Sequence, residues 1–299
     1  MKKTATLPQW LIQTAVAVVL TALTGFLGSP FLRVMRQSQG ALRYWITGVV
    51  LVLGFWFLGA SALAVFLGSV WMTLGAYSEF EAKGFGWRTS GLIALILGTI
   101  TGVAGALSAL HRAGITNWDQ FVNLIRDLTT GLLQQLNPGA KPDAALLAQQ
   151  TPSVLIIFLV LALGTGLIFE RRLFQWFNLP RERVASHMKL LEFRLPDWMI
   201  WIALSGFALT VVDLGAKELA IFGANVVNVT AVLYFFQGLA VLEVLLNVLK
   251  VGYLMRVLVY FLLVGQMFFL LSLVGLIDYW MDFRRRLRKK PRPEESIQD

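Results

Sequence analysis

Five stretches of this chain, residues 44–78, 89–110, 144–169, 219–242 and 257–277, contain no Asp, Glu, Lys or Arg. A hydrocarbon slab about 30 Å thick demands runs of that length and character from any helix that crosses it. The composition agrees: 57% of the 299 residues are AVILMFWYC and 14% are charged, against about 25% charged in an ordinary soluble domain. The expected fold is all-α, a polytopic transmembrane helical bundle of about eight spans treated as a single integral membrane domain over 1–299, with one external amphipathic helix between spans.

The organisation follows from where the charges fall. Lys2 and Lys3 precede an apolar run from Trp10 to Leu27. No A-x-A-like site follows it, so it is expected to be retained rather than cleaved as a secretory signal. Arg33, Arg36 and Arg43 read as a short basic loop. The block 44–78 would make a single helix about 52 Å long, so it is expected to fold as two short helices turning at Gly59, Ala60 and Ser61. Glu79 to Arg88, with Gly84 and Gly86, reads as a loop before the next span.

Residues 111–151 read as an external insert, an amphipathic helix followed by a linker. Ile115, Trp118, Phe121, Val122, Ile125, Leu128, Leu132, Leu133 and Leu136 recur at helical spacing, with Asp119, Asn123, Arg126, Asp127 and Gln134 on the other side. Thr116 or Asn117 starts this helix and Pro138–Gly139 stops it. Residues 137–151 read as the linker.

Lys and Arg gather on the cytoplasmic side of bacterial membranes, which marks 170–196 as a cytoplasmic hydrophilic segment and 284–299 as a basic cytoplasmic tail. Both lie inside only if one of the three apolar blocks between them doubles back. The last block, Gly252 to Phe283, bending near Gly265 and Gln266, is the favoured one. The location is then the bacterial plasma membrane, multi-pass, with the C-terminus cytoplasmic.

No Cys is present and only His111 and His187 supply imidazole, so no thiolate or histidine metal cluster is expected. Phosphate-loop and dinucleotide motifs are absent from the sequence, and no nucleophile or paired carboxylates converge at one depth. The expectation is a non-enzyme without cofactors. The net charge of +9 is not a nucleic-acid signal, because six of the seven residues from Arg284 to Lys290 are basic and follow an apolar segment directly.

Polar groups inside apolar blocks are the default candidates for function. Asn225, Asn228 and Gln237 are the candidate ligand-binding residues, the two asparagines near the external end of their helix. Glu243 is a membrane-buried charge expected to pair with Arg256 or Lys250. Asp278, Asp282 and Arg286 read as an i, i+4 ladder which, with Arg284 and Arg285, anchors the C-terminal end. Three stripes of small residues, Ala17–Thr21–Gly25–Ser29, Ala60–Ala64–Gly68 and Ala94–Gly98–Gly102–Ala106, read first as internal packing and second as a docking face for a partner helix.

Three segments carry a family resemblance: FRLPDWMIW from Phe193 to Trp201, VNVTAVLYFFQGLAV from Val227 to Val241, and GLIDYWMDFRRR from Gly275 to Arg286. Together they resemble the YybS-like family of uncharacterised bacterial membrane proteins, and mark Pro196, Asn228, Gln237, Gly238, Asp278, Asp282 and Arg284. That family looks similar to the S components of energy-coupling factor (ECF) transporters, which capture vitamins or metals and work with a coupling subunit and separate ATPases. The first segment here is shorter than the S-component pattern, and the late segments exceed its six-helix plan. The resemblance implies a small-molecule binding and uptake subunit without its own ATPase, with the lipid bilayer, an ECF-type coupling subunit and ATPases as partners. The alternative is a noncatalytic scaffold recruiting proteins or anionic lipid through its basic segments.

Overall fold

The computed structural model describes residues 7–136, 143–177, 193–213 and 215–288. Every regular element among them is helical, and the chain divides into two compact units, Met1–Met188 and Lys189–Asp299. The first holds α1 (Leu7–Thr24), α2 (Ser29–Gln39), α3 (Ala41–Phe57), α4 (Ser61–Ala82), α5 (Trp87–Arg112), α6 (Trp118–Leu136) and α7 (Ala144–Trp176). The second holds α8 (Met199–Val211), α9 (Lys217–Val248), α10 (Tyr253–Gln266), α11 (Phe268–Met281) and α12 (Phe283–Arg288).

Among the described residues α4, α5, α7 and α9 are long and apolar enough to cross a bilayer, and α10 with α11 would add a fifth span as one bent pair. That is fewer than the eight expected. Length is the reason: α3 has 17 residues and extends about 26 Å, short of a 30 Å slab, and α8 with 13 residues is shorter still.

The block 44–78 does fold as two helices. Gly59 sits between them at φ +84°, a left-handed conformation that glycine adopts without a Cβ clash. The α3–α4 pair is then locked reciprocally: the Tyr44 hydroxyl donates to the Trp71 carbonyl at 2.7 Å and the Trp71 indole donates to the Tyr44 carbonyl at 3.2 Å. Both rings are buried. Helix α5 lies on α4 through the third small-residue stripe. A Cβ added at Gly98 would come 1.9 Å from the Thr73 hydroxyl, and one at Gly102 would come 2.8 Å from the Ser69 hydroxyl. The opposite face of α5 exposes Leu92, Ile96, Ile100, Val103 and Leu107, as a lipid-facing helix does.

The amphipathic helix is α6. Asn117 caps it by accepting from Gln120 N at 2.9 Å, while the Gln120 side chain accepts from Thr116 N at 2.8 Å, a capping-box exchange shifted by one residue. Val122 packs on Ala144 and Ala148 of α7. Much of the expected linker is therefore helix. Asp143 caps α7 by accepting from Ala145 N and Leu146 N at 3.0 and 3.1 Å, and the helix runs through Pro152. Composition suggested a linker, but a good N-cap starts a helix wherever it stands. The expected stop at Pro138 and Gly139 lies outside the described residues.

In the second unit α9 is the axis. Gly206 of α8 and Gly223 of α9 bring those backbones together, with a Cβ at Gly223 meeting the Gly206 carbonyl at 2.7 Å. On another side, a Cβ at Gly238 would lie 1.9 Å from the Leu271 carbonyl, and one at Gly275 would lie 1.9 Å from the Tyr234 carbonyl. Only glycine permits such an approach between α9 and α11. The last apolar block, expected to bend near Gly265 and Gln266, is interrupted at Met267, where α10 and α11 meet at 99°.

Candidate functional site

The most concentrated polar chemistry in the first unit is a buried ionic cluster joining α2, α4 and α7. Arg33 of α2 is 1% exposed. Its Nε donates to Glu170 Oε2 of α7 at 2.9 Å and its Nη1 to the Ser78 hydroxyl of α4 at 2.6 Å, while Nη2 donates to Glu81 Oε2. The guanidinium also lies 5.0 Å from the centre of the Tyr77 ring. Beside it Arg36 donates to Glu79 at 2.8 Å, the Trp45 indole donates to the same carboxylate at 3.2 Å, and Gln37 donates to Glu170 Oε1 at 3.1 Å.

Two cations therefore face three carboxylates, a formal excess of one negative charge. Burial alone would pull the Arg33 pKa down, but Glu170 and Glu81 hold it above its ordinary value. Arg33 stays charged throughout the physiological range.

This cluster corrects the sequence reading in three places. Arg33 and Arg36 do not form a basic loop; they stand on a helix and face acidic partners, and Arg43 lies on α3. Glu79 and Glu81 belong to the last turn of α4 rather than to a loop. Glu170, expected to open a solvated segment, is 2% exposed within α7. The signal was present but unread: Glu79 and Glu170 each stand directly after a charge-free run, at the same kind of boundary as Arg33.

A second feature lies on α1. Gln13 is 1% exposed, and neither its amide nitrogen nor its amide oxygen has a partner among the described residues. The Trp10 indole nitrogen, the Thr21 hydroxyl and the Gln39 amide are likewise buried and unpaired. The hydroxyl of Thr14, next to Gln13, meets the Met35 sulfur at 3.3 Å, which sets this stretch of α1 against α2 two residues beyond Arg33.

In the second unit the predicted site residues separate. Asn225 donates to Ile221 O of its own helix at 2.9 Å, and Asn228 is half-buried. Gln237 is 2% exposed and satisfied by the chain itself. It accepts from Leu195 N at 3.0 Å and donates to Gly275 O at 3.0 Å and to Asp278 Oδ2 at 3.4 Å. Glu243 does pair with Arg256 of α10, at 3.0 Å, and accepts from the Tyr260 hydroxyl; Asn247 bridges the same two charges.

The C-terminal ladder is replaced by a different arrangement. Helix α11 ends at Met281, Asp282 turns the chain in a left-handed conformation at φ +44°, and α12 begins afresh. That break cancels the i, i+4 register. Arg284 instead swings back to Asp278, with Nη2 at 2.8 Å and Nε at 3.1 Å from Oδ2, and its Nη1 donates to the Phe193 carbonyl at 2.6 Å. Phe193, Gln237, Asp278 and Arg284 are thus one buried network tying the segment before α8 to α9, α11 and α12. Arg285 and Arg286 stay exposed.

Of the two imidazoles, His111 is exposed on the last turn of α5, and His187 lies outside the described residues. Among the described residues no group of His, Asp and Glu is placed to hold a metal ion. Compared with known families, the chain matches a family described as Predicted membrane protein (DUF2232) over residues 10–279. No curated protein matches the chain, and no solved structure does.

Proposed function

Because the chain belongs to the DUF2232 family of predicted membrane proteins, we propose a function carried out within the bilayer: a non-enzymatic subunit that binds a small polar solute for uptake. In this reading it is of the S-component kind and relies on a separate coupling subunit and ATPases. The bacterial plasma membrane is its place, with the basic end 284–299 toward the cytoplasm, since Lys and Arg collect on that side.

The observation that carries the reading is the Gln13 amide. Leaving a buried donor or acceptor unpaired costs about 1–3 kcal/mol, and the cost is greater where no water reaches. Among the described residues nothing meets the Gln13 amide, and in this reading the solute supplies its partners. An amide that both donates and accepts suits a solute bearing carbonyl, amide or hydroxyl groups. The cluster around Arg33 then serves as the rigid wall against which α1 and α2 hold that solute.

Purification of the epitope-tagged full chain from its native membrane tests the proposal. A small molecule released on denaturation and detected by mass spectrometry, lost in Gln13→Leu, together with co-purified ATPase subunits, supports it. Recovery of neither overturns it.

A further inference from the structure

The end of α11 carries a feature that the uptake reading does not use. Trp280, Met281, Asp282, Arg285 and Arg286 line an open cleft of about 300 Å³ in the elbow between α11 and α12. Two sets of bonds hold the elbow: Asp282 fixes the turn, with Arg285 N and Arg286 N donating to its carbonyl at 3.1 and 3.2 Å, and Arg284 is bound to Asp278 and Phe193 on the inner side. Arg284 is therefore spent, whereas Arg285 and Arg286 point outward on the same short helix with no ion pair among the described residues. Trp280 is 58% exposed, at the terminus of an apolar helix where indole favours headgroup depth.

We propose that this elbow is a binding site for the phosphate headgroup of one anionic phospholipid. Two guanidiniums offer forked donors to phosphate oxygens, and Trp280 packs along the glycerol and upper acyl region. Asp282 contributes a carboxylate at the rim, so the cleft carries a net excess of one positive charge, the complement of a phosphodiester. A zwitterionic headgroup brings its own cation and gains less.

The test uses the full chain, purified in mild detergent and mixed with phosphatidylglycerol or phosphatidylcholine, with retained lipid counted by native mass spectrometry. Wild-type protein is expected to retain phosphatidylglycerol about 30-fold over phosphatidylcholine, the order that two arginines provide at an anionic surface. The double variant Arg285→Gln/Arg286→Gln is expected to lose most of that preference. Arg171→Gln/Arg172→Gln removes the same charge from an exposed pair on α7 and is expected to keep it. Equal retention of both lipids by wild type overturns the site, and so does an equal loss in the two double variants. Displacement of phosphatidylglycerol by millimolar inorganic phosphate alone overturns the lipid assignment. None of these results depends on whether a solute binds near Gln13.

Discussion

Replacing Arg33 by Met puts the ionic cluster to its sharpest test. Met is shorter, unbranched and uncharged, so Glu81 and Glu170, with side chains 4% and 3% exposed, would face each other without the cation that holds them. Removing one partner of a buried ion pair costs about 3–5 kcal/mol, and here a single deletion strips both carboxylates. At about 2–4 °C per kcal/mol for chains somewhat shorter than this one, the midpoint of thermal unfolding should fall by roughly 6–20 °C. The assay is intrinsic tryptophan fluorescence of the purified full chain heated in detergent.

The triple variant Arg33→Met/Glu81→Gln/Glu170→Gln supplies the control. It removes all three charges and keeps the shapes of the two acidic side chains, so it is expected to regain more than half of the loss, because neutral groups escape the desolvation penalty. Arg33→Lys should fall between, since an ammonium cannot reproduce the fork that reaches three partners on two helices. An Arg33→Met midpoint within about 2 °C of wild type, or a triple variant no more stable than the single one, refutes the reasoning.

Other expectations follow from the packing. Gly238→Ala and Gly275→Ala each drive a methyl into a backbone carbonyl 1.9 Å away, so each should destabilise the second unit by about 1–3 kcal/mol or more, read as earlier aggregation on heating in detergent; unchanged stability would refute the close α9–α11 crossing. Gln237→Leu keeps the volume but takes away the acceptor of Leu195 N and the amide's bonds to Gly275 O and Asp278 Oδ2, a loss of about 1–3 kcal/mol that the same melting assay detects. Asp143→Ala removes the α7 cap, worth about 1 kcal/mol. Hydrogen exchange should speed up in the first turn of α7 and remain unchanged in α9; uniform protection would show that the cap carries no weight.

Much of the helical plan was legible because lipid makes a simple demand. A charge-free run too long for one crossing has to turn, and Gly59 marks where. A 3.6-residue apolar period with a reciprocal Asn117–Gln120 cap has to be a surface helix. The site was less legible, since it depends on partners far apart in the chain. Arg33 and Arg36 look like loop charges until Glu81 and Glu170, 48 and 137 positions away, are brought to them. The Asp278–Asp282–Arg286 ladder failed for a local reason, because one left-handed residue at Asp282 ends the helix and rotates every later position. Gln237 kept its prominence, but as a crosslink: periodicity places an amide on a helix face without telling what the neighbouring backbone offers it.

The reach of Arg33 also sets an order of events during synthesis. Glu81 leaves the ribosome 48 residues after Arg33, and Glu170 follows only 137 residues after it. At about 5–20 residues per second, the second carboxylate arrives roughly 7–27 s late. For that interval Arg33 and Arg36 face Glu79 and Glu81 alone, a formally neutral set, and the Nε fork of Arg33 waits for α7 to bring its acceptor.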